Sequence, residues 1–236
     1  MRRYANSPFF ILIILMVAQE FLNGRFDDPG AWFYDTLLML PAIIIGLSFH
    51  EFGHAVTAYM LGDNTPKLQG RVTVNPRAHV DVFGFICLLF AGFGWGVPVM
   101  IDPRNFKHPR RDELIVSAAG VVMNLLLAIL TAFIIKFAGT AIMGLSLGTA
   151  IFQILINIIA INLVLMVFNL IPVPPLDGFG IITEIFNLKR TEFYYKIYDK
   201  GLLILMILIV FNITGKIISP IVNFLYALIM NYIVFA

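Results

Sequence analysis

His50, Glu51 and His54 stand in the run GLSFHEFGHAVTAYMLGD, residues 46–63, and spell H-E-x-x-H. At about 3.6 residues per turn, side chains four apart lie one above the other on a single helix face. Two imidazoles so placed can share one metal ion, usually zinc, and the intervening glutamate then serves as general base toward the attacking water and not as a ligand. In a water-exposed helix the five-residue pattern is only moderately specific. Here it lies inside an apolar run, where ionisable side chains are costly and mark function.

A catalytic zinc takes three protein ligands and keeps one position open. The extended pattern H-E-x-x-H-x-x-G-x-x-H fails, because Thr57 and Met60 occupy the glycine and histidine positions. No glutamate follows Glu51 until Glu113, and Asp63 lies too far along the same helix to turn back. His79 and Asp81 form an H-x-D pair in a polar, basic loop, where a satisfied surface histidine is the commoner case, and His108 sits among cations. Asp177 remains, in FNLIPVPPLDGFG. Pro172, Pro174 and Pro175 end the apolar helix before it, and Gly178 permits a tight turn after it. An ordinary capping turn at the membrane surface accounts for the prolines but not for the lone acid beside them.

The elements that carry these residues belong to a membrane. The chain is 60% hydrophobic and 13% charged, far from the balance of a soluble domain. A spanning helix needs about 20 apolar residues. Apolar segments occur at 7–22, 35–61, 83–101, 112–138, 146–171, 201–213 and 217–236. Six of them read as transmembrane helices, giving an all-α polytopic membrane protein with residues 1–236 as a single membrane-embedded domain. Arg2 and Arg3 before the first segment outline a signal peptide, but QEFLNGRF offers no small-residue cleavage site, so that helix is expected to be retained.

The seventh segment is different. Lys67, Arg71 and Arg77 precede 83–101, while Arg104, Lys107, Arg110 and Arg111 follow it. Basic loops stay in the cytoplasm, so this glycine-rich segment, FGFICLLFAGFGWGVP, is expected to be re-entrant. The remaining segments then alternate: N-terminus in, 24–34 out, 62–112 in, 139–145 out, 173–200 in. Reading the glycines as a phosphate loop would require a strand before them and a soluble helix after, and neither is present. Alternation in GRVTVN, closed by Asn75 and Pro76, predicts a short β-hairpin at 70–75. Cys87 stands alone in an apolar setting, so no disulfide framework exists.

From Glu51 to Gly62 the helix runs about 17 Å, so the metal would lie below the cytoplasmic face and need a polar path from that side. Asn162 and Asn169 share one stripe of their helix and are candidates to line it. Gln153 and Asn157 share a roughly opposite stripe and read better as bridges between helices.

Taken together, H-E-x-x-H followed two helices later by NLIPVPPLDG, Asn169 to Gly178, resembles the site-2 protease family of intramembrane zinc metalloproteases. A third motif of that family, G-x-x-x-N, is matched by Gly120 and Asn124, and the loop LQGRVTVNPRAHVDVFG resembles the subgroup without a PDZ domain. Val82 and Val97 depart from the proline and lysine common in that subgroup. The resemblance implies Zn2+ held by His50, His54 and Asp177, Glu51 as the catalytic base, and Asn124 and Asn169 as substrate-binding residues. It further implies a transmembrane protein substrate, for example a single-pass regulator, cut by regulated intramembrane proteolysis in the cell membrane, with a regulatory membrane partner and no nucleic acid involved. A substrate helix must unwind before attack, and pairing with the edge of the 70–75 strand would offset that cost.

Three other functions share some of these features. A membrane metal transporter needs further ligands along its path, and only four histidines are present. A non-proteolytic zinc-binding scaffold would be expected to lose Glu51 or a ligand. The zinc site alone does not distinguish a lipid-directed hydrolase.

Overall fold

A computed structural model describes residues 8–235; Arg2 and Arg3 lie outside them. The helices are α1 (Pro8–Leu22), α2 (Pro29–Met60), α3 (Thr65–Leu68), α4 (Val82–Ala91), α5 (Pro109–Met143), α6 (Gly148–Asn169), α7 (Asp177–Phe186), α8 (Glu192–Tyr198), α9 (Gly201–Val210) and α10 (Ile213–Ile229). A π-helical turn, Met230–Val234, extends α10. Among the described residues four helices are long and apolar enough to cross a membrane: α2, α5, α6 and the Ile213–Val234 helix. The described part of α1, α4 and α9 are shorter apolar helices. On α5, Leu126, Leu130, Phe133 and Phe137 form an exposed stripe that water would penalise and lipid would not.

The centre is the packing of α2, α5 and α6 on one another. Val121 and Ala128 of α5 meet Ile159, Leu163 and Val167 of α6, and Val222 and Ile229 of α10 close the far side. A second cluster joins α1, α4 and α9 through Met16, Ala91, Leu205 and Met206, and it includes Ile171 and Leu176 of the proline-rich break. Pro41 interrupts α2 and removes one backbone donor from its ladder. The neighbouring Leu38 carbonyl accepts from the Asn157 amide at 3.1 Å, so Asn157 bridges helices as its stripe predicted. Gln153 leans on Asn157 at 3.3 Å.

The glycine-rich segment doubles back. Helix α4 starts at its cap Asp81 and stops at Gly92, whose φ of +69° only glycine adopts without strain. The chain then returns extended, and Val80 and Gly96 meet in an antiparallel bridge. The two ends of the segment therefore lie together, and α4, at 10 residues, is among the shorter apolar helices and not among the four long enough to cross.

The expected hairpin at 70–75 does not form. Among the described residues there is no strand, only that isolated bridge. The local backbone groups are spent elsewhere: Thr73 N–H donates to the Arg71 carbonyl, the Asn75 side chain accepts from Arg77 N–H, and the Thr73 carbonyl takes His79 Nε2–H at 2.7 Å. With these contacts made, no partner strand has a ladder to join.

Candidate metal centre

The metal-seeking residues come from three directions. His50 and His54 project from α2 toward α5, and Asp177 arrives at the first turn of α7, beyond the prolines that stop α6. His50 Nε2 lies 3.1 Å from His54 Nε2, and the Asp177 carboxylate oxygens lie 3.2 Å and 3.3 Å from the two histidines. The far ring nitrogens set the tautomers. His50 Nδ1 is 2.7 Å from Asn124 Oδ1 and His54 Nδ1 is 2.7 Å from the Val116 carbonyl; both oxygens only accept, so both Nδ1 atoms carry hydrogens. Both Nε2 lone pairs therefore point at each other and at a carboxylate.

Three acceptors converging in a buried space need a cation. Around an ion with bonds of about 2.0–2.1 Å, the edges of a tetrahedron measure about 3.3 Å, close to the separations found. Asp177 Oδ2 is buried without a hydrogen-bond partner among the described residues, as a vacant ligand atom should be. His50, His54 and Asp177 also form the one group among them able to hold a metal. The donor set and its spacing fit zinc.

Gly120 explains why the rings can sit against α5. A Cβ there would fall 2.4 Å from His54 Nε2 and 2.6 Å from His50 Cε1, so any side chain would displace the ligands. Asn124, one turn on, is fully buried. Its amide donates to the Gly46 carbonyl at 3.1 Å and to Asn162 Oδ1 at 2.8 Å, while its oxygen takes the His50 hydrogen. In this structure the polar atoms of Asn124 are all engaged in the helix packing, and its oxygen fixes the His50 ring. Asn162 is also fully buried and lines no water path; it holds Asn124 and returns its own amide to Ile158.

Glu51 faces the other way, into a cavity of about 510 Å³ that it lines with His50, Trp95, Pro98, Asn169 and Leu176. Its Oε2 accepts from Val99 N–H at 3.2 Å. Asn169 lines that cavity while its amide bonds the Leu165 carbonyl at 2.9 Å. His79 and Asp81 lie outside the metal group. His79 is fully buried, not on the surface as its polar loop suggested, and its carbonyl takes Val97 N–H at 2.7 Å. Asp81 caps α4 through Gly84 N–H at 2.6 Å.

A model of Peptidase family M50 matches residues 38–152, which include His50, Glu51, His54 and Asn124. YwhC of Bacillus subtilis, which carries the name putative zinc metalloprotease, is 37% identical over 202 residues, covering 80% of this chain and 90% of that protein. The chain belongs to peptidase family M50. Rip2 of Mycolicibacterium smegmatis, named in the same way, is 27% identical over 222 residues, covering 86% of the chain and 80% of Rip2. Rip2 of Mycobacterium tuberculosis is 28% identical over 184 residues, covering 74% and 68%. No solved structure matches. As an M50 peptidase with four helices able to cross a membrane, the chain is a multi-pass membrane zinc metalloprotease. Gly120, Asn124 and the Val116 carbonyl shape the ligand rings here, and only the first two leave a sequence signal.

Proposed function

We propose that the chain hydrolyses a peptide bond in or beside the transmembrane helix of a membrane-protein substrate, with Glu51 as the base and His50, His54 and Asp177 as the zinc ligands. The observation that carries this reading is the position of Glu51. It shares a cavity with His50, and that cavity's other walls are largely apolar, from Leu47, Phe93, Leu165, Phe168 and Leu202. Such walls suit an unwound hydrophobic segment better than a soluble peptide.

Bound zinc would polarise the scissile carbonyl and favour ionisation of the attacking water. Val99 N–H holds Glu51 Oε2, leaving Oε1 to take the water's proton and pass it to the departing amine nitrogen as the C–O bond forms and the C–N bond breaks. Asn124 and Val116 keep both imidazole hydrogens on Nδ1 throughout. Asn169 stands on the cavity wall with its amide hydrogen given to Leu165, and its place there makes it the residue to bind the substrate backbone in this reading.

The edge for substrate pairing moves from 70–75 to the extended segment that returns from Gly92 through Gly96. Val97 N–H already bonds His79, and the Arg71 guanidinium reaches the Val97 carbonyl at 3.4 Å. Alternate residues point to opposite edges, so Gly96 and the Pro98 carbonyl present the open edge to an extended substrate. We take α1 and α9 as the fifth and sixth membrane segments; α1 packs on both α4 and α9, and α9 lines this cavity through Leu202 and Leu205. A single-pass regulator as substrate, a regulatory membrane partner and release into the cytoplasm complete the proposal. A transporter is less well supported, because the described residues hold one ligand group and no second one along a path.

Mass spectrometry of a model transmembrane peptide incubated with the purified protein tests the reading. A single endoproteolytic cut within or next to the apolar stretch is expected. Zinc-loaded protein that leaves every such peptide intact would overturn it.

A further inference from the structure

A second cavity, of about 250 Å³, lies behind Asp177 and is unlike the first. Pro175 and Leu176 line both, so the break that carries the ligand is the wall between them. Glu113 stands seven residues before Gly120 on α5, about 10 Å from the histidine level toward the helix start. That start follows the basic stretch Lys107–Arg111, so the polar cavity is on the cytoplasmic side of the metal group. The apolar cavity extends the other way, to Leu47 and Leu165.

The chemistry of the second cavity favours a cation. Lys189 bonds Glu113 and lies 2.7 Å from Glu184, so two carboxylates face one ammonium and one negative charge is left over. Tyr194 lies against Phe179, with centroids 5.6 Å apart, and against Tyr198, 5.5 Å away, while Phe179 and Tyr198 are 6.5 Å from each other, and the three rings border the same space. Aromatic faces attract cations. Thr183 lines the cavity at 2% exposure, and its Oγ1 has no hydrogen-bond partner among the described residues. A buried hydroxyl left in this way calls for an occupant that bonds it.

Resting on the proteolytic reading above, we propose that this cavity is a specificity subsite for a lysine or arginine side chain on the cytoplasmic flank of the substrate helix. The scissile bond then falls at the substrate's own boundary between apolar and basic sequence. Cytoplasmic flanks of membrane helices are rich in such residues, so the subsite meets the side chain most often available at that depth. The apolar cavity takes the residues deeper in the helix, and Asp177 stands between the two.

The test uses the full-length zinc-loaded protein and pairs of transmembrane peptides that differ only in carrying Lys or Glu at successive positions on the cytoplasmic side of the cut. Competition between the pair, read by mass spectrometry, gives a ratio of cleavage rates. Wild type is expected to prefer Lys by about tenfold or more at one position, as placing like charges together penalises the Glu peptide. Lys189→Met removes the internal cation and should raise that ratio, while Glu113→Gln, nearly identical in shape, should lower it. Metal content measured on each variant confirms an intact site. A wild-type ratio near one at every position would overturn the subsite. So would an unchanged ratio in both metal-replete variants, which would mark the cavity as a water-filled space only. If wild type cuts none of the peptides, the proteolytic reading fails first and the subsite with it.

Discussion

The two walls of the catalytic cleft are built on different physics. On the histidine side, each ring is held by a neighbouring helix: His50 by Asn124, Asn124 by Gly46 and Asn162, His54 by Val116. These groups are buried, and their bonds cross between α2, α5 and α6. On the other side, Phe93 and Trp95 anchor the returning segment in the second core cluster, while the polar contacts over Glu51 are part-buried: Val99 N–H to Glu51 and Arg71 to the Ala78 and Val97 carbonyls, beside Val97 N–H to His79. Buried networks fix geometry, whereas segments with few buried contacts open at low cost. Under the proposed function, the contrast places metal binding on the rigid wall and makes the loop over Glu51 the candidate for substrate admission.

The sharpest way to break that contrast is Gly120→Ala. The added methyl must push both ligand rings from a wall with no slack, so zinc affinity should fall by well over about 100-fold, beyond the range for loss of supporting residues. Metal analysis of the purified variant checks it; full zinc retention would show the wall to be compliant. Asn124→Ala should cost about 10- to 100-fold in zinc affinity, measured by competition with a chelator, because His50 loses the acceptor that fixes its tautomer. No loss would mean that the ring needs no such support.

Arg71→Ala addresses the movable wall alone. Proteolysis should fall by roughly tenfold as Glu51 and the extended segment over it lose their alignment, with zinc content unchanged. Parallel loss of both would erase the distinction between the walls. The smallest effect concerns Asp63, fully buried just beyond α2, which ties Thr65 to Asp102 and Asn105 at the far end of the loop. Burial alone would push its carboxyl up, but the hydrogen bonds from Thr65, Asp102 and Asn105 hold it below the usual carboxylate range. A depressed folded value means stability that is present above the unfolded value of about 3.9 and is lost as pH falls through the folded one. Limited proteolysis of residues 62–108 should therefore accelerate below about pH 4, and Asp63→Asn should flatten that dependence.

Much of the rigid wall was legible in the sequence, and little of the movable one. His50, Glu51, His54 and Asp177 stand out because charge and imidazole are conspicuous in apolar sequence, and helical spacing then says which of them share a face. Basic flanks likewise pointed to a segment that doubles back. The role of Asn124 was not legible, because a motif gives a residue's height on a helix but not which neighbour its amide meets. Asn162 and Asn169 share a stripe, yet depth separates them: one is locked between helices, the other lines the cavity. The hairpin was misread at 70–75 because alternation over six residues cannot reveal that the pairing partner of the loop lies at Val80 and Gly96. His79 escaped for a related reason, since a polar loop folded on itself buries what its composition advertises as exposed.

Glu51→Gln tests the central claim most directly, because it changes the base while leaving every proposed ligand and both walls in place. Zinc content and cleavage of a transmembrane peptide are measured on the same preparation. The account predicts near-stoichiometric zinc with proteolysis abolished. Normal cleavage by the zinc-loaded variant would contradict the assignment of Glu51, and loss of zinc would contradict the separation of metal binding from catalysis.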